Sequence, residues 1–425
     1  MDDHKRRILE AVETSFEAQI AFLSRLSGFA SLRGAEAQAQ GFVEQALRER
    51  GYALDRFRTD ASQVGVHPAF SPATIDYAES WNLVATHSPE GSGGGRSLAL
   101  NAHVDVVPAG PAARWTHPPF QPRREGDWLY GRGTGDMKAG LSAAIFALDA
   151  ITAAGLVLRG PVQIQSVVEE EMTGNGAATV LAKGYRADAI LIAEPTDEQL
   201  VRANSGVLKF AITFHGIPTH PREPERGRSA IDLALRMIAH LKRLEERWIA
   251  ERLAHPLFAA IPNPVALTVG TIAGGEWIAS FPSECRIEGR VGFYPGDDPQ
   301  ARIAEFERFV AEAARADPAF DTAPTVEWVG VTHGSYELAA DTEAEHVLAA
   351  AHRQAGTGGE LRSCVMTAYL DAAVFALHGD MPALVYGPVA ENIHAADERV
   401  SLSPLLRVTK TIALFAAEWC GAQEA

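Results

Sequence analysis

Ser97-Leu-Ala-Leu-Asn-Ala-His103-Val-Asp105-Val-Val-Pro108 is an apolar run that stops on two side chains able to bind or orient a metal ion. Three other segments share its form. Val162 to Glu171 ends in Glu169-Glu170-Glu171, Ile190 to Glu194 ends on a carboxylate followed by Pro195, and Ala383 to Tyr386 leads through a Gly-Pro loop to His394. Apolar runs of this length bounded by polar clusters read as core strands of a covered, largely parallel sheet. In such sheets ligands collect at the carboxyl ends of the strands. Four strands that all finish on ligand-type residues therefore predict a metal centre at one edge of an α/β sheet.

Period-two alternation puts His103 and Asp105 on the same side of their strand. A metal-binding imidazole needs its other nitrogen held, and the Asp105 carboxylate is expected to supply that contact. The stretch Trp128-Leu-Tyr-Gly131-Arg132-Gly133-Thr-Gly135-Asp136-Met-Lys138-Ala-Gly140 carries glycines that permit tight turns. It lacks the order of a phosphate loop. Its carboxylate, Asp136, is placed at the first turn of a helix running to Gly155, at a strand-to-helix corner where two ions could share it. Three adjacent carboxylates, Glu169, Glu170 and Glu171, would repel one another without cations. Alternation sends Glu170 and Glu171 to different sides, so one can bind metal while the other handles a proton. Glu194 follows too apolar a run for a casual surface acid and reads as a ligand.

The chain has 425 residues, long for one hydrophobic core, so two domains are expected. No apolar stretch is long enough for a membrane span. The amino terminus passes into an amphipathic helical pattern with no apolar signal core, and Cys285, Cys364 and Cys420 form no C-x-x-C pair, so a reducing cytoplasmic setting is expected. A formal charge of −16 argues against nucleic acid or an anionic membrane as partner.

Two helices are predicted between Asp3 and Arg50. Asn82 to Thr86 and Ser97 to Val107 are expected to pair as a hairpin across the Pro89 to Gly95 turn. Beyond Arg202 the pattern changes to strand (Gly206 to Phe214), helix (Ser229 to Leu253), two strands (Val265 to Ile272 and Cys285 to Phe293), helix (Pro299 to Ala316) and strand (Thr325 to Val329). That β-α-β-β-α-β order predicts a ferredoxin-like α+β domain at 204–330, inserted into a catalytic metal-binding domain formed by 1–203 and 331–425. The last helix is predicted from Ser403 to Trp419.

Taken together, His-x-Asp, Gly-Arg-Gly-x-x-Asp-Met-Lys, Glu-Glu, Glu-Pro and the late histidine resemble the superfamily of acetylornithine deacetylase, succinyl-diaminopimelate desuccinylase, aminoacylase and carboxypeptidase G, dinuclear zinc amidohydrolases. The resemblance covers nearly the whole chain. It implies a zinc-exopeptidase-like α/β catalytic domain with a mixed, largely parallel sheet flanked by helices, and two divalent ions, zinc with cobalt or manganese as alternatives. Asp136 would bridge them, His103 and Glu194 would complete one site, and Glu171 and His394 the other. Glu170 becomes the general base. The inserted domain is similar to the family's lid, which usually forms a homodimer. His220, in Gly216-Ile-Pro-Thr-His220, matches the histidine that reaches the partner's site to stabilise an oxyanion.

The chain departs from that pattern in its lid. In Gly274-Gly275-Glu276-Trp277-Ile278-Ala279-Ser280-Phe281-Pro282 the family's asparagine position holds Ala279, and the position of its carboxylate-gripping arginine falls on Gly292. Arg290 lies on the same strand face, and with Asn392 it is a candidate substrate contact. Tyr369-Leu370-Asp371, where many relatives have threonine before the aspartate, is similar to relatives acting on other amides, including deformylases of formylaminopyrimidines, whose substrate has no carboxylate. The leading expectation is a deacylase or deformylase of a small N-acylated amine or amino acid. An exopeptidase or dipeptidase, or a hydrolase of an unusual aromatic amine C–N bond, is the alternative among enzymes. A catalytically silent small-molecule-binding relative would have lost a ligand or the base, and here Glu170 and all five ligand positions are present.

Overall fold

The computed structural model describes residues 3–61, 65–88, 93–356 and 359–425. The central strand Leu98–His103 is buried at every position, which only a place in the middle of a covered sheet allows. Among the described residues six strands form that sheet, in the order Ala53–Arg58, Trp81–His87, Val162–Val167, Leu98–His103, Ala189–Ile192 and Ala383–Val385. The four strands from Val162–Val167 onward run parallel, and the two at the other edge run antiparallel. The helices Asp3–Ser27, Ala139–Ala153 and Leu402–Cys420 pack together over the sheet, and Asn175–Ala182 packs on Ala372–Gly379.

The expected hairpin between Asn82 to Thr86 and Ser97 to Val107 does not form. Val162–Val167 lies between the two strands, antiparallel to one and parallel to the other. A strand buried on both faces gains more from two parallel neighbours than from the sheet's antiparallel margin, so the chain crosses over instead of turning back. Of the Pro89 to Gly95 turn itself, residues 89–92 lie outside the described residues.

The β-α-β-β-α-β order between Gly206 and Trp328 folds as expected. Its antiparallel sheet runs Leu267–Gly274, Glu284–Phe293, Gly206–His215 and Thr325–Trp328, and the helices Ala230–Ala250 and Pro299–Ala316 pack on it. Leu208, Phe210, Ile212 and Phe214 alternate into a second hydrophobic core, separate from that of the main sheet. Ser229 caps the first helix by accepting from the Asp232 amide, and Asp298 caps the second by accepting from Gln300.

A small sheet of Ala390–Glu391, Arg399–Ser401, Trp128–Tyr130 and Arg123–Glu125, too short for sequence periodicity to reveal, joins distant parts of the chain. Pairing of Trp128–Tyr130 with Arg399–Ser401 sets the loop ending in Asp136 beside the turn carrying His394. No helix among the described residues is long and apolar enough to cross a membrane, and the three cysteines are free.

Candidate metal centre

Each ligand-type side chain sits at the end of an element, as the sequence suggests. His103 ends its strand, Glu171 and Glu194 follow Val162–Val167 and Ala189–Ile192, and His394 lies in the turn after Ala390–Glu391. Asp136 is not in a helical first turn. Its backbone is extended (φ −116°, ψ 100°), the Asp136–Met137 peptide is cis, and the α-helix starts at Ala139. The reason is tertiary: the amides of Gly135 and Asp136 donate to Glu398 Oε1 at 3.0 and 3.1 Å instead of pointing along a helix. The following helix packs so closely on the strand end before Glu194 that a Cβ on Gly140 would lie 2.1 Å from the Ala193 carbonyl oxygen.

These elements bring the five expected ligands together. Asp136 Oδ1 is 3.2 Å from His103 Nε2, and Asp136 Oδ2 is 3.3 Å from His394 Nε2. Glu194 Oε1 lies 3.7 Å from His103 Nε2, while Glu171 Oε2 lies 3.1 Å from His394 Nε2. Donors on one tetrahedral ion with bonds of ~2.1 Å stand about 3.4 Å apart. The spacing and the nitrogen and oxygen donor set fit two divalent ions sharing Asp136, and His103, Asp136 and Glu171 present ligand atoms within 4.8 Å of one another.

The contact that orients His103 differs from expectation. Its Nδ1 is 2.9 Å from the backbone carbonyl oxygen of Asp105 and 3.6 Å from the Asp105 carboxylate. The strand ends at His103, so the turning chain presents the carbonyl, and the carboxylate accepts from the Glu171 amide at 3.2 Å instead. With Nδ1 donating to that carbonyl, Nε2 keeps its lone pair for a metal.

Of the three adjacent glutamates only two face the centre. Glu169 is fully buried in an ion pair with Arg33 and accepts from Tyr77 and Thr173 at 3.0 and 2.8 Å. Glu170 is buried beside Glu171, and both line a cavity of about 370 Å³. Tyr369 walls the cavity on one side, and Thr268, Lys209 and Arg290 line it from the inserted domain.

Metal-free electrostatics show where positive charge is needed. Burial drives Glu170 well above the usual carboxylate range, with Glu194, Asp371 and Glu171 adding to it, and burial with Asp136 does the same to Glu194. Burial opposes charge on Asp136 too, but its contacts with His103 and His394 hold it below its ordinary value. Burial disfavours a cationic His394, yet Asp136 and Glu171 push it up to about 10. His103 is raised in the same way against its burial. Protons on the imidazoles thus stand where metal charge would act.

Two expected site residues do not line this chain's own cavity: Asn392, and the His220 that is expected to act in a partner's site. His220 is exposed on the inserted domain, its Nδ1 accepting from the Arg222 amide at 3.1 Å, and it does not line the cavity. Asn392 is exposed and spends its amide on the Asp397 carbonyl at 3.1 Å. Arg290 does line the cavity. The sequence reading missed Glu398 and Lys138. Glu398 stands within the exposed-looking run Asp397-Glu398-Arg399, which gives no sign of burial. Lys138 stood in the quoted motif, and it is fully buried with its Nζ donating to the Phe29 carbonyl at 3.0 Å and its pKa brought down by burial to about 7.

Residues 99–418 match peptidase family M20/M25/M40. The chain is 28% identical over 369 residues to an N-formyl-4-amino-5-aminomethyl-2-methylpyrimidine deformylase of Halalkalibacterium halodurans, covering 82% of this chain and 85% of the relative. It is 36% identical over 217 residues to an acetylornithine deacetylase of Proteus mirabilis, about half of each chain (51% and 54%). The fold is similar to that of the di-peptidase Dug1p from Saccharomyces cerevisiae, with a TM-score of 0.81 at 12% identity over 99% of both chains. The matched span runs from the strand that ends in His103 to the last helix and takes in every one of the five clustered donors, and on that ground the chain belongs to peptidase family M20/M25/M40.

Proposed function

We propose that this protein is a metal-dependent amidohydrolase that removes a small acyl group from a small N-acylated amine. The observation that carries the reading is Asp136, whose two oxygens face two different histidines beside a cavity lined by the buried Glu170. The relatives named as a deformylase and a deacetylase support it, since both names describe acyl removal.

Two divalent ions, zinc by the donor set, would be held by His103, Asp136 and Glu194 and by His394, Asp136 and Glu171; when bound they acidify a water and polarise the amide carbonyl. Glu170 takes the proton of the attacking water and returns it to the leaving nitrogen, and its burial raises its proton affinity toward that task. The Asp105 carbonyl holds the His103 tautomer. Glu398 fixes the loop that carries Asp136.

His220 is assigned to oxyanion stabilisation in a partner subunit, in a homodimer formed through the inserted domain acting as a lid over the catalytic domain. In support, Leu267–Gly274 is an outer strand of the inserted sheet and exposes Ile272, a free edge that a second copy could extend. Three unpaired cysteines support a reducing cytoplasm.

Hydrolysis of acetyl, formyl and succinyl amines and amino acids, dipeptides and formylaminomethylpyrimidine by the zinc-, cobalt- or manganese-loaded protein tests the reading, with Glu170→Ala as the blank. Metal-dependent release of the acyl group from at least one N-acyl amine is expected. Cleavage of dipeptides alone would replace the reading with an exopeptidase.

A further inference from the structure

Away from the five clustered donors, three histidines from remote segments meet. His67 lies in the loop before Ala69, His333 in the connection that returns from the inserted domain, and His378 in the helix Ala372–Gly379. The His378 ring centre stands 5.9 Å from that of His67 and 6.3 Å from that of His333, edge to face at 73° and 79°. Two imidazoles on one tetrahedral ion, with bonds of ~2.1 Å, have ring centres about 5.2 Å apart. Shifts of about 1 Å therefore bring the three rings onto a single ion.

The nitrogens of the cluster lack partners inside the fold. His333 is only 6% exposed, and among the described residues neither of its ring nitrogens has a hydrogen-bond partner; nor has Nε2 of His378. His67 Nδ1 accepts from the Ala69 amide at 3.2 Å, a contact between near neighbours that ligation would replace. Buried polar atoms are almost always paired, so orphaned nitrogens gathered at one place ask for a shared partner.

The chemistry of the cluster selects that partner. Burial holds all three histidines below their ordinary pKa, His333 at about 3 with its two neighbours adding and the Thr173 backbone opposing, and no carboxylate bears on them among the described residues. The rings are neutral near pH 7, which is the form that binds metal. An anion would require the protonated rings that burial disfavours. A donor set of imidazole alone, without thiolate or carboxylate, suits zinc, copper or nickel, not calcium or magnesium. His333 also packs edge to face on Tyr369 at 5.6 Å, directly behind the residue that walls the catalytic cavity.

We propose that His67, His333 and His378 form a further metal site, separate from the catalytic pair, that takes one divalent ion of the zinc class. Such an ion ties the loop before Ala69 and the helix Ala372–Gly379 to the connection from the inserted domain, and so braces the ring on which Tyr369 rests. The site stands on its own geometry and does not depend on which reaction the protein catalyses.

Zinc titration of the metal-stripped full chain tests it, with bound metal counted by elemental analysis after gel filtration. Three ions per chain are expected in the wild type, and two in His67→Gln and in His378→Gln, both at partly exposed positions. In Asp136→Ala, which is expected to lose the catalytic pair, one ion should remain with a dissociation constant in the micromolar range or below, and zinc should raise the melting temperature. Adding His378→Gln to that variant should weaken the remaining ion at least about 10-fold and abolish the rise. A wild type that stops at two ions, a third ion bound as tightly in His67→Gln or His378→Gln as in the wild type, or binding at millimolar zinc only overturns the proposal.

Discussion

Arg132 and Glu398 form a buried ion pair beneath the loop that carries Asp136. One Glu398 oxygen meets the guanidinium while the other accepts from the amides of Gly135 and Asp136. Removing one partner of a buried pair strands the other charge, at a cost of about 3–5 kcal/mol. Glu398→Ala should lower the melting temperature and weaken metal retention together, whereas Glu398→Gln, which keeps the acceptor for the two amides, should retain more metal. Thermal unfolding with metal analysis of dialysed protein checks both; full metal content in Glu398→Ala would show that the loop holds itself.

Asp136 is shared by both histidines, so the ligand variants should not be equivalent. Asp136→Ala is expected to lose both ions and His394→Ala one. His394 is half exposed and His103 is buried, so a chelator should strip the His394 ion first. Metal-to-protein ratios by elemental analysis decide this, and two ions bound by Asp136→Ala would contradict the bridge.

Glu170 is buried beside the ligands but bonds to none of them among the described residues. Glu170→Gln should therefore keep both ions and the wild-type melting temperature while kcat falls about 10²- to 10⁴-fold. Loss of metal in this variant would make Glu170 a ligand instead.

Glu36 is fully buried, with Oε1 accepting from the Gly34 amide at 2.7 Å and Oε2 lacking a partner among the described residues. Burial, with Asp105 adding, pushes it from 4.5 to about 8. The native state therefore holds a proton that the unfolded chain has lost, and stability falls as pH rises from about 5 to about 8. Glu36→Gln should equal the wild type near pH 4 and exceed it by up to about 5 kcal/mol above pH 8. Denaturant unfolding at several pH values reads this out, and parallel profiles for the two proteins would refute it.

Gly174 has φ +70°, and a Cβ there would lie 2.1 Å from the Tyr369 hydroxyl oxygen, which donates to Asp371 at 2.9 Å. Gly174→Ala should destabilise by about 1–3 kcal/mol and displace the tyrosine that walls the cavity. Combining it with Tyr369→Ala should remove the clash and leave only the backbone strain. A double variant no more stable than the sum of the single losses would place the strain elsewhere.

The candidate donors could be picked out because burial leaves a chemical trace in sequence. A carboxylate after Ala189-Ile-Leu-Ile-Ala, or a histidine ending Leu98-Ala-Leu-Asn-Ala, breaks an apolar run that has no other reason to be polar. The inserted domain was legible for a related reason, since its strands alternate and its helices carry caps at Ser229 and Asp298. Sequence periodicity is blind to pairing partners. It placed Trp81–His87 beside Leu98–His103, whereas Val162–Val167, far along the chain, comes between them.

What sequence alone determined here is the inventory: which side chains can ligate, which strands are buried, and that a β-α-β-β-α-β unit interrupts the main domain. These follow from local composition and period, which each segment carries with it. Tertiary structure decided the relations. Asp136 reaches two histidines because a four-stranded side sheet draws residues 128–130 onto 399–401. Asp105 orients His103 through its carbonyl because the strand stops there. Lys209 meets Arg290 only because strand register sets them opposite. Distances between groups remote in the chain depend on packing and register, and no single segment encodes those.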